Sequence, residues 1–105
     1  MRALPVRLRP LAQDDADDAI AHYVGEQAIE AALGFVDALE AACAHIGRHA
    51  GTGSTRHAHE LQLPGLRCWR LTRFPYLLFY MAHEDHIDVW RVLHERRDIA
   101  EQMQD

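Results

Sequence analysis

Apolar and polar positions near the N-terminus alternate first with the period of a strand and then with that of a helix. Residues 5–9 alternate Val6 and Leu8 with two arginines, which predicts a short half-exposed strand that Pro10 ends. Four aspartates then crowd the start of a segment that ends at Gly25, and acidic residues favour a helix N-terminus. The apolar positions of this first predicted helix recur at helical spacing: Ala16, Ala19, Ile20 and Tyr23.

The second predicted helix has the most regular pattern in the chain. Its apolar stripe is spaced by three and four residues: Ala28, Ala32, Phe35, Leu39, Ala42 and Ile46. Ile29, Val36 and Cys43 lie beside this stripe and are expected to widen it, whereas the acidic residues lie away from it. Two helices joined by a short break predict a helical hairpin.

The second half of the chain predicts a sheet. Residues 51–65 are rich in Gly, Thr, Ser, Arg and His, which predicts a loop that ends in a type II turn at Pro64-Gly65. Strands are predicted over 66–73, 76–82 and 86–94, and the middle one is apolar on both faces, as in a central strand. The order β-α-α-β-β-β predicts an α+β fold, with an N-terminal helical hairpin packed on a small, mainly antiparallel sheet. A chain of 105 residues suits one domain over 1–105.

Charge is distributed unevenly along the chain. The net charge is −5, with four arginines and eight acids in residues 1–50 but seven arginines and eight acids in residues 51–105. Residues 56–73 carry four arginines against Glu60 alone, and the chain has no lysine. The planar guanidinium suits carboxylates and phosphates, so this region suits an acidic protein or a nucleic acid. A GC-rich coding sequence would explain the choice of arginine equally well.

Several classes of protein are disfavoured by the sequence. The N-terminus lacks the apolar run of a signal peptide and charges interrupt the later apolar stretches, so a cytoplasmic location and no membrane contact are expected. Cys43 and Cys68 lack CxxC spacing and are predicted to be small buried hydrophobes. Histidines at 57, 59, 83 and 86 suggest a metal, but no third ligand is placed by spacing, so no metal and no cofactor are expected.

A compact polar cluster follows the last predicted strand: His94, Glu95, Arg96, Arg97 and Asp98. One interpretation is a solvated strand end at which Asp98 pairs with Arg97 or another arginine. The other is an exposed, partly ordered binding site at the sheet end, next to Arg67 or Arg73. The pattern alone leaves both interpretations open.

Three segments resemble the toxin half of a ParE/ParD toxin–antitoxin pair, within the RelE/ParE superfamily: Leu66-Arg67, Phe74–Tyr80 and Ile87–Ile99. The resemblance covers nearly the whole chain. Its most specific parts are the aromatic strand ending in Tyr80 and the Val-Leu-His-x-x-Arg-Asp motif ending at Asp98. The resemblance implies a RelE/ParE-like fold, a ParD-like antitoxin in a hetero-oligomer, and growth arrest by inhibition of DNA gyrase.

RelE-type relatives provide the alternative, because they cut mRNA on the ribosome. Such a nuclease needs groups that deprotonate the 2′-hydroxyl, protonate the leaving oxygen and stabilise charge on phosphorus. Arg67, His94 and Arg97 would be its catalytic residues here, with His57 or His59 as a base.

The set is incomplete, since the chain lacks lysine and any tyrosine after Tyr80. We therefore favour a non-enzymatic gyrase inhibitor, with an inactive relative that binds only antitoxin as a third possibility. The residues predicted to bind the target are Arg67, Arg73, His94, Arg96, Arg97 and Asp98.

Overall fold

Helices lie on both faces of one four-stranded sheet in the computed structural model, which describes residues 2–103. The elements in chain order are β1 (Val6–Leu8), α1 (Pro10–Gly25), α2 (Ile29–Arg48), a 3-10 turn (Ala50–Thr52), α3 (Arg56–Glu60), β2 (Leu66–Arg70), β3 (Tyr76–Ala82), β4 (Ile87–His94) and α4 (Ile99–Met103). The sheet order is β1-β4-β3-β2, in which β1 runs parallel to β4 and the other pairs are antiparallel. The predicted α+β fold and its mainly antiparallel sheet are confirmed. No helix within residues 2–103 has the length and apolarity that crossing a bilayer requires.

The helical hairpin begins directly after β1. Pro10 ends the strand and is itself the first residue of α1, where the missing N–H costs nothing because no carbonyl would accept it. The predicted stripe of α2 is confirmed from its second position to its last, since Ala32, Phe35 and Ile46 are buried. The prediction for Ile29 is wrong, because this residue is 54% exposed at the first turn of α2.

β3 is a central strand that packs on both sides. Tyr76, Leu78 and Tyr80 join the cluster formed with α1 and α2. Leu77 and Phe79 join a second cluster on the opposite face, to which α3 and α4 contribute Ala58, Ile99 and Met103. The prediction of a central strand from its unbroken apolar run is confirmed.

A β-bulge changes the alternation of β4. Phe79 of β3 pairs with Arg91, whereas the next residue, Tyr80, pairs with Val89, so Trp90 is the extra residue on β4. Val89 and Val92 therefore pack in the same cluster although they are three residues apart. Strict period-2 alternation would have placed them on opposite faces.

Two predicted boundaries differ from the structure. The predicted loop over 51–65 contains α3, which packs Ala58 onto the second cluster, so tertiary burial overrides the polar local composition. β2 ends at Arg70, and the predicted extension to residue 73 is excluded because Arg73 has a left-handed φ of 71° that a strand does not allow. The turn at Pro64-Gly65 is confirmed by the φ of 91° at Gly65 and by the hydrogen bond from Leu66 N–H to the Leu63 carbonyl.

Candidate functional site

The terminal turn, residues 94–98, connects β4 to α4 and has a fixed backbone. Its first residue, His94, pairs with Tyr76 in the sheet, and the two rings meet edge to face at 5.2 Å. Glu95 N–H donates to the Pro75 carbonyl at 2.9 Å, and Arg97 N–H donates to the His94 carbonyl at 3.0 Å. Arg96 N–H donates to His94 Nδ1 at 3.1 Å, so this ring nitrogen is the acceptor.

In the part of the chain that the structure describes, the acidic side chains of the terminal turn have structural partners, whereas the side chains of its arginines form no salt bridge or hydrogen bond. Glu95 accepts from Arg70 Nε at 3.1 Å, and this hydrogen bond is the main reason why the pKa of Glu95 lies below its ordinary value. Asp98 Oδ1 accepts from Glu101 N–H at 3.1 Å and so caps α4, which differs from the pairing with Arg97 or a neighbouring arginine in the interpretation of a solvated strand end. Within residues 2–103, Arg96 and Arg97 pair with no carboxylate. Two exposed guanidinium groups are thus held on an ordered backbone.

A cavity of about 420 Å³ separates the terminal turn from α1. Its polar lining comes from His94, Arg96 and Arg97 on one side and from Asp15, Asp18 and His22 on the other. Asp15 is already engaged, because its carboxylate accepts from Arg91 at 2.7 and 2.8 Å. The cavity therefore presents an open basic wall opposite a partly neutralised acidic wall.

Arg73 lies at the same end of the sheet as the terminal turn. It is exposed in the connection between β2 and β3, and Pro75 of that connection accepts the hydrogen bond from Glu95 N–H. The structure therefore places Arg73, His94, Arg96 and Arg97 at one end of the sheet. Their predicted roles in target binding stay predictions.

Arg67 lies elsewhere. It pairs with Tyr80, and His94 pairs with Tyr76, so four residues of β3, or about 13 Å of strand, separate the two positions. Arg67 Nη1 donates to the carbonyls of Gly51 and Gly53 at 3.0 and 2.8 Å. The structure does not bring Arg67 together with His94 and Arg97, and a direct role for Arg67 in target binding also stays a prediction.

Tyr80 holds the same segment, residues 50–53, which we call the anchored loop. Its hydroxyl donates to the Ala50 carbonyl at 2.8 Å and accepts from Gly53 N–H at 3.0 Å. Burial raises the pKa of Tyr80 and outweighs the lowering by Gly53 N–H and the Arg67 charge, so the hydroxyl keeps the proton that it donates. A Cβ on Gly53 would lie 2.6 Å from the Tyr80 oxygen, which explains a glycine at this position.

The histidines considered as a base or as metal ligands do not converge on the terminal turn. His57 and His59 lie on α3, where a spacing of two residues points side chains apart, and not side by side as in an extended loop. His57 packs against Phe79 on the opposite face of the sheet, and burial, followed by the Arg56 charge, lowers its pKa. Among residues 2–103, no group of three or more His, Cys, Asp or Glu side chains is arranged to hold a metal ion.

Sequence reasoning missed the contribution of α1 to the cavity. Asp15, Asp18 and His22 are spaced by three and four residues, and this spacing places them on one helical face. The aspartates were attributed only to the helix N-terminus, although Asp15 reaches Arg91, 76 residues further along the chain. Their helical spacing indicates that the three side chains share one face of α1. That this face lies against β4 follows only from the fold.

Comparison with known proteins agrees with this architecture. The family model for the ParE toxin of the type II toxin–antitoxin system parDE matches residues 6–99. A solved structure of a chromosomal ParDE toxin–antitoxin system from P. aeruginosa is 21% identical, with a TM-score of 0.71, over 88% of this chain and 96% of that chain. No curated protein sequence matches the chain.

The helical hairpin on its four-stranded sheet is therefore an α+β fold of the kind seen in that ParDE system. The family match covers nearly all of the residues that the structure describes. The chain belongs to the ParE toxin family of type II toxin–antitoxin systems.

Proposed function

We propose that this ParE toxin inhibits DNA gyrase through its terminal turn and is neutralised by a ParD-like antitoxin in a hetero-oligomer. The observation that carries the proposal is the pair of guanidinium groups of Arg96 and Arg97, which meet no carboxylate within residues 2–103, on a turn whose backbone is hydrogen-bonded to the sheet. An ordered turn loses little conformational entropy on binding, and free guanidinium groups supply directional donors to carboxylate or phosphate. Arg73 and His94 extend this surface along the sheet end, and Asp98 supports it by capping α4.

The same geometry argues against a ribonuclease built on Arg67, His94 and Arg97. General acid–base chemistry needs its groups within hydrogen-bond reach of one substrate. Arg67 lies about 13 Å along β3 from the His94 position and already binds two carbonyls. In the proposed mechanism the toxin acts by binding in the cytoplasm, without catalysis and without a cofactor, and Arg67 supports the fold of the anchored loop.

Two assays on one preparation test this function. The chain is co-expressed with its neighbouring antitoxin gene, purified as the complex, released, and added both to gyrase with relaxed plasmid and to ribosomes with bound mRNA. We expect loss of supercoiling or trapping of a cleaved gyrase–DNA complex, with intact mRNA, and we expect the antitoxin to reverse the effect. Codon-specific mRNA cuts with unaffected gyrase would overturn the proposal, and so would a chain that binds antitoxin but affects neither target.

A matched arginine variant distinguishes specific binding by the terminal turn from non-specific electrostatic attraction by any arginine. Arg97→Ala removes a guanidinium of the terminal turn, and Arg48→Ala removes one at the exposed end of α2, far along the chain from the terminal turn. Both variants lose one positive charge. We expect only Arg97→Ala to relieve gyrase inhibition, and equal relief by Arg48→Ala would indicate non-specific electrostatic attraction instead.

A further inference from the structure

The outer face of α2 carries two apolar side chains that the fold leaves uncovered. Ile29 and Leu33 are 54% and 62% exposed, and their spacing of four residues places them side by side on the helix. Glu30, Asp37 and Glu40 are exposed on the same side of α2 by helical spacing. We call these five residues the outer α2 face. Single exposed apolar residues are common, but an adjacent pair in which each residue is more than half exposed is suited to anchor a partner.

The carboxylates of the outer α2 face are not neutralised by any salt bridge among the described residues. The sequence has no arginine or lysine between Arg9 and Arg48. Within residues 2–103, Glu30, Asp37 and Glu40 form no salt bridge, whereas carboxylates of α1 and β4 pair with Arg91 and Arg9. The negative charge of this face is therefore available to a partner.

We propose that the outer α2 face binds a cationic amphipathic helix of a partner protein. Apolar residues spaced three and four apart on such a helix would cover Ile29 and Leu33, and its lysines or arginines would meet the three carboxylates. The proposal goes beyond gyrase inhibition, because it uses no residue of the terminal turn.

The sign of the charge disfavours the other occupants of this face. A second copy of the chain, joined by a two-fold axis, would place Glu30, Asp37 and Glu40 against the same three carboxylates. Nucleic acid and anionic membrane surfaces would be repelled. An anionic amphipathic helix would match the apolar pair but not its surroundings.

Two labelled peptides test the charge requirement by fluorescence anisotropy on the full chain. Each peptide has about 18 residues, which form several helical turns, and carries leucines in the same positions. One has lysine and the other glutamate at every polar position. We expect the lysine peptide to bind with an affinity that falls as salt is added, and the glutamate peptide to bind at least about ten-fold more weakly.

Variants at exposed positions test the location. Ile29→Gln with Leu33→Gln should weaken binding of the lysine peptide about ten-fold. Glu30→Gln with Asp37→Asn should weaken its binding about three-fold and reduce the salt dependence of that binding. The control, Leu11→Gln with Glu84→Gln, also removes an exposed apolar group and a carboxylate, but outside this face. It should bind like the unmodified chain. Thermal melting of every variant separates lost binding from lost fold.

Three results would overturn the proposal. If the glutamate peptide binds as tightly as the lysine peptide, the partner need not be cationic. If folded Ile29→Gln/Leu33→Gln protein binds the lysine peptide unchanged, the binding site is not the outer α2 face. A concentration-dependent dimer that Leu33→Gln abolishes would assign the face to a second copy of the chain. Because none of these measurements involves gyrase, failure here leaves the proposed function standing.

Discussion

The anchored loop and the terminal turn use arginine in opposite ways. At the anchored loop, Arg67 directs its guanidinium to the carbonyls of Gly51 and Gly53, and Tyr80 completes the hydrogen bonding from a buried position. At the terminal turn, backbone hydrogen bonds fix the chain without help from the arginine side chains, and Arg96 and Arg97 remain exposed. An arginine beside unpaired carbonyls becomes part of the fold, whereas an arginine on an already satisfied turn remains available to a partner.

This difference has opposite energetic consequences. Removing a donor from a part-buried group leaves carbonyls without a partner, which costs free energy of folding. Removing an exposed, unpaired guanidinium leaves nothing unsatisfied. Substitutions in the anchored loop should therefore change stability first, and substitutions in the terminal turn should change function first.

The largest effect is expected from Tyr80→Phe. The change keeps the buried ring but leaves the Ala50 carbonyl and Gly53 N–H without their partner, so we expect a loss of about 2–3 kcal/mol in the free energy of unfolding. Urea denaturation followed by tryptophan fluorescence measures it. Tyr76→Phe is the control, because the Tyr76 hydroxyl makes no hydrogen bond within residues 2–103. Equal losses in the two variants would contradict the anchoring role.

Gly53→Ala tests the close approach of the anchored loop to Tyr80. The added methyl group would lie 2.6 Å from the hydroxyl oxygen and 2.9 Å from Cε1 of a side chain that cannot move without breaking its hydrogen bonds. Overpacking of this kind costs about 1–3 kcal/mol, and thermal melting should show it. Gly51→Ala is the matched control, since its Cβ would meet nothing within 4 Å. A stability loss in both variants would indicate a backbone effect and not a clash with Tyr80.

The pairing of Asp88 with Arg9 tests whether an arginine that already has a partner contributes to stability, as Arg67 does. Its carboxylate accepts from Arg9 at 2.9 Å and from the Trp90 indole at 3.2 Å, and Arg9 also stacks 4.1 Å from the centre of the Trp90 ring. Burial acts to raise the pKa of Asp88, but the hydrogen bonds and charge of Arg9 together hold it below its ordinary value.

A lowered carboxyl pKa stabilises the fold above the unfolded pKa of about 4 and stops doing so as the pH falls through the folded pKa. Asp88→Asn should therefore lower the free energy of unfolding by about 1 kcal/mol at neutral pH. The difference in stability from the unmodified chain, which we call the gap, should narrow below about pH 4. Thermal melting across this pH range measures the gap. Asp37→Asn, at an exposed carboxylate that pairs with no arginine within residues 2–103, should show no comparable difference. A gap for Asp88→Asn that is constant down to acid pH would show that charge pairing is not its cause.

The parts of the fold that the sequence predicts are those determined by local periodicity. The stripe through Phe35 and Ile46 fixes the buried face of α2, and the apolar run of β3 identifies a strand covered on both sides. The exposure of Ile29 was missed because it directly follows Ala28 of the stripe in sequence, although one residue turns an α-helix by about 100° and so takes its side chain away from the buried face. The extra residue at Trp90 is also invisible to period-2 patterning, because a bulge is defined by the partner strand.

In the candidate site, too, the features that the sequence predicts are local, and those that it misses depend on tertiary contacts. The cluster after β4 was recognised because its five polar residues are contiguous in sequence. The separation of Arg67 from His94 depends on the register of β2 and β4 against β3, which composition does not encode. The anchored loop was missed as a hydrogen-bonding centre, because its acceptors are backbone carbonyls that have no side-chain signature.

Arg97→Ala gives the most direct test of whether the terminal turn is the surface that binds the target. The side chain is exposed and pairs with no carboxylate within residues 2–103, so the free energy of unfolding should change by no more than about 1 kcal/mol. The measurement is the concentration of toxin that halves gyrase supercoiling, taken beside the melting temperature of the same preparation. We predict at least about a ten-fold rise in that concentration with an almost unchanged melting temperature. Full inhibition by a folded Arg97→Ala variant, or a loss of inhibition that follows a loss of fold, would contradict the account.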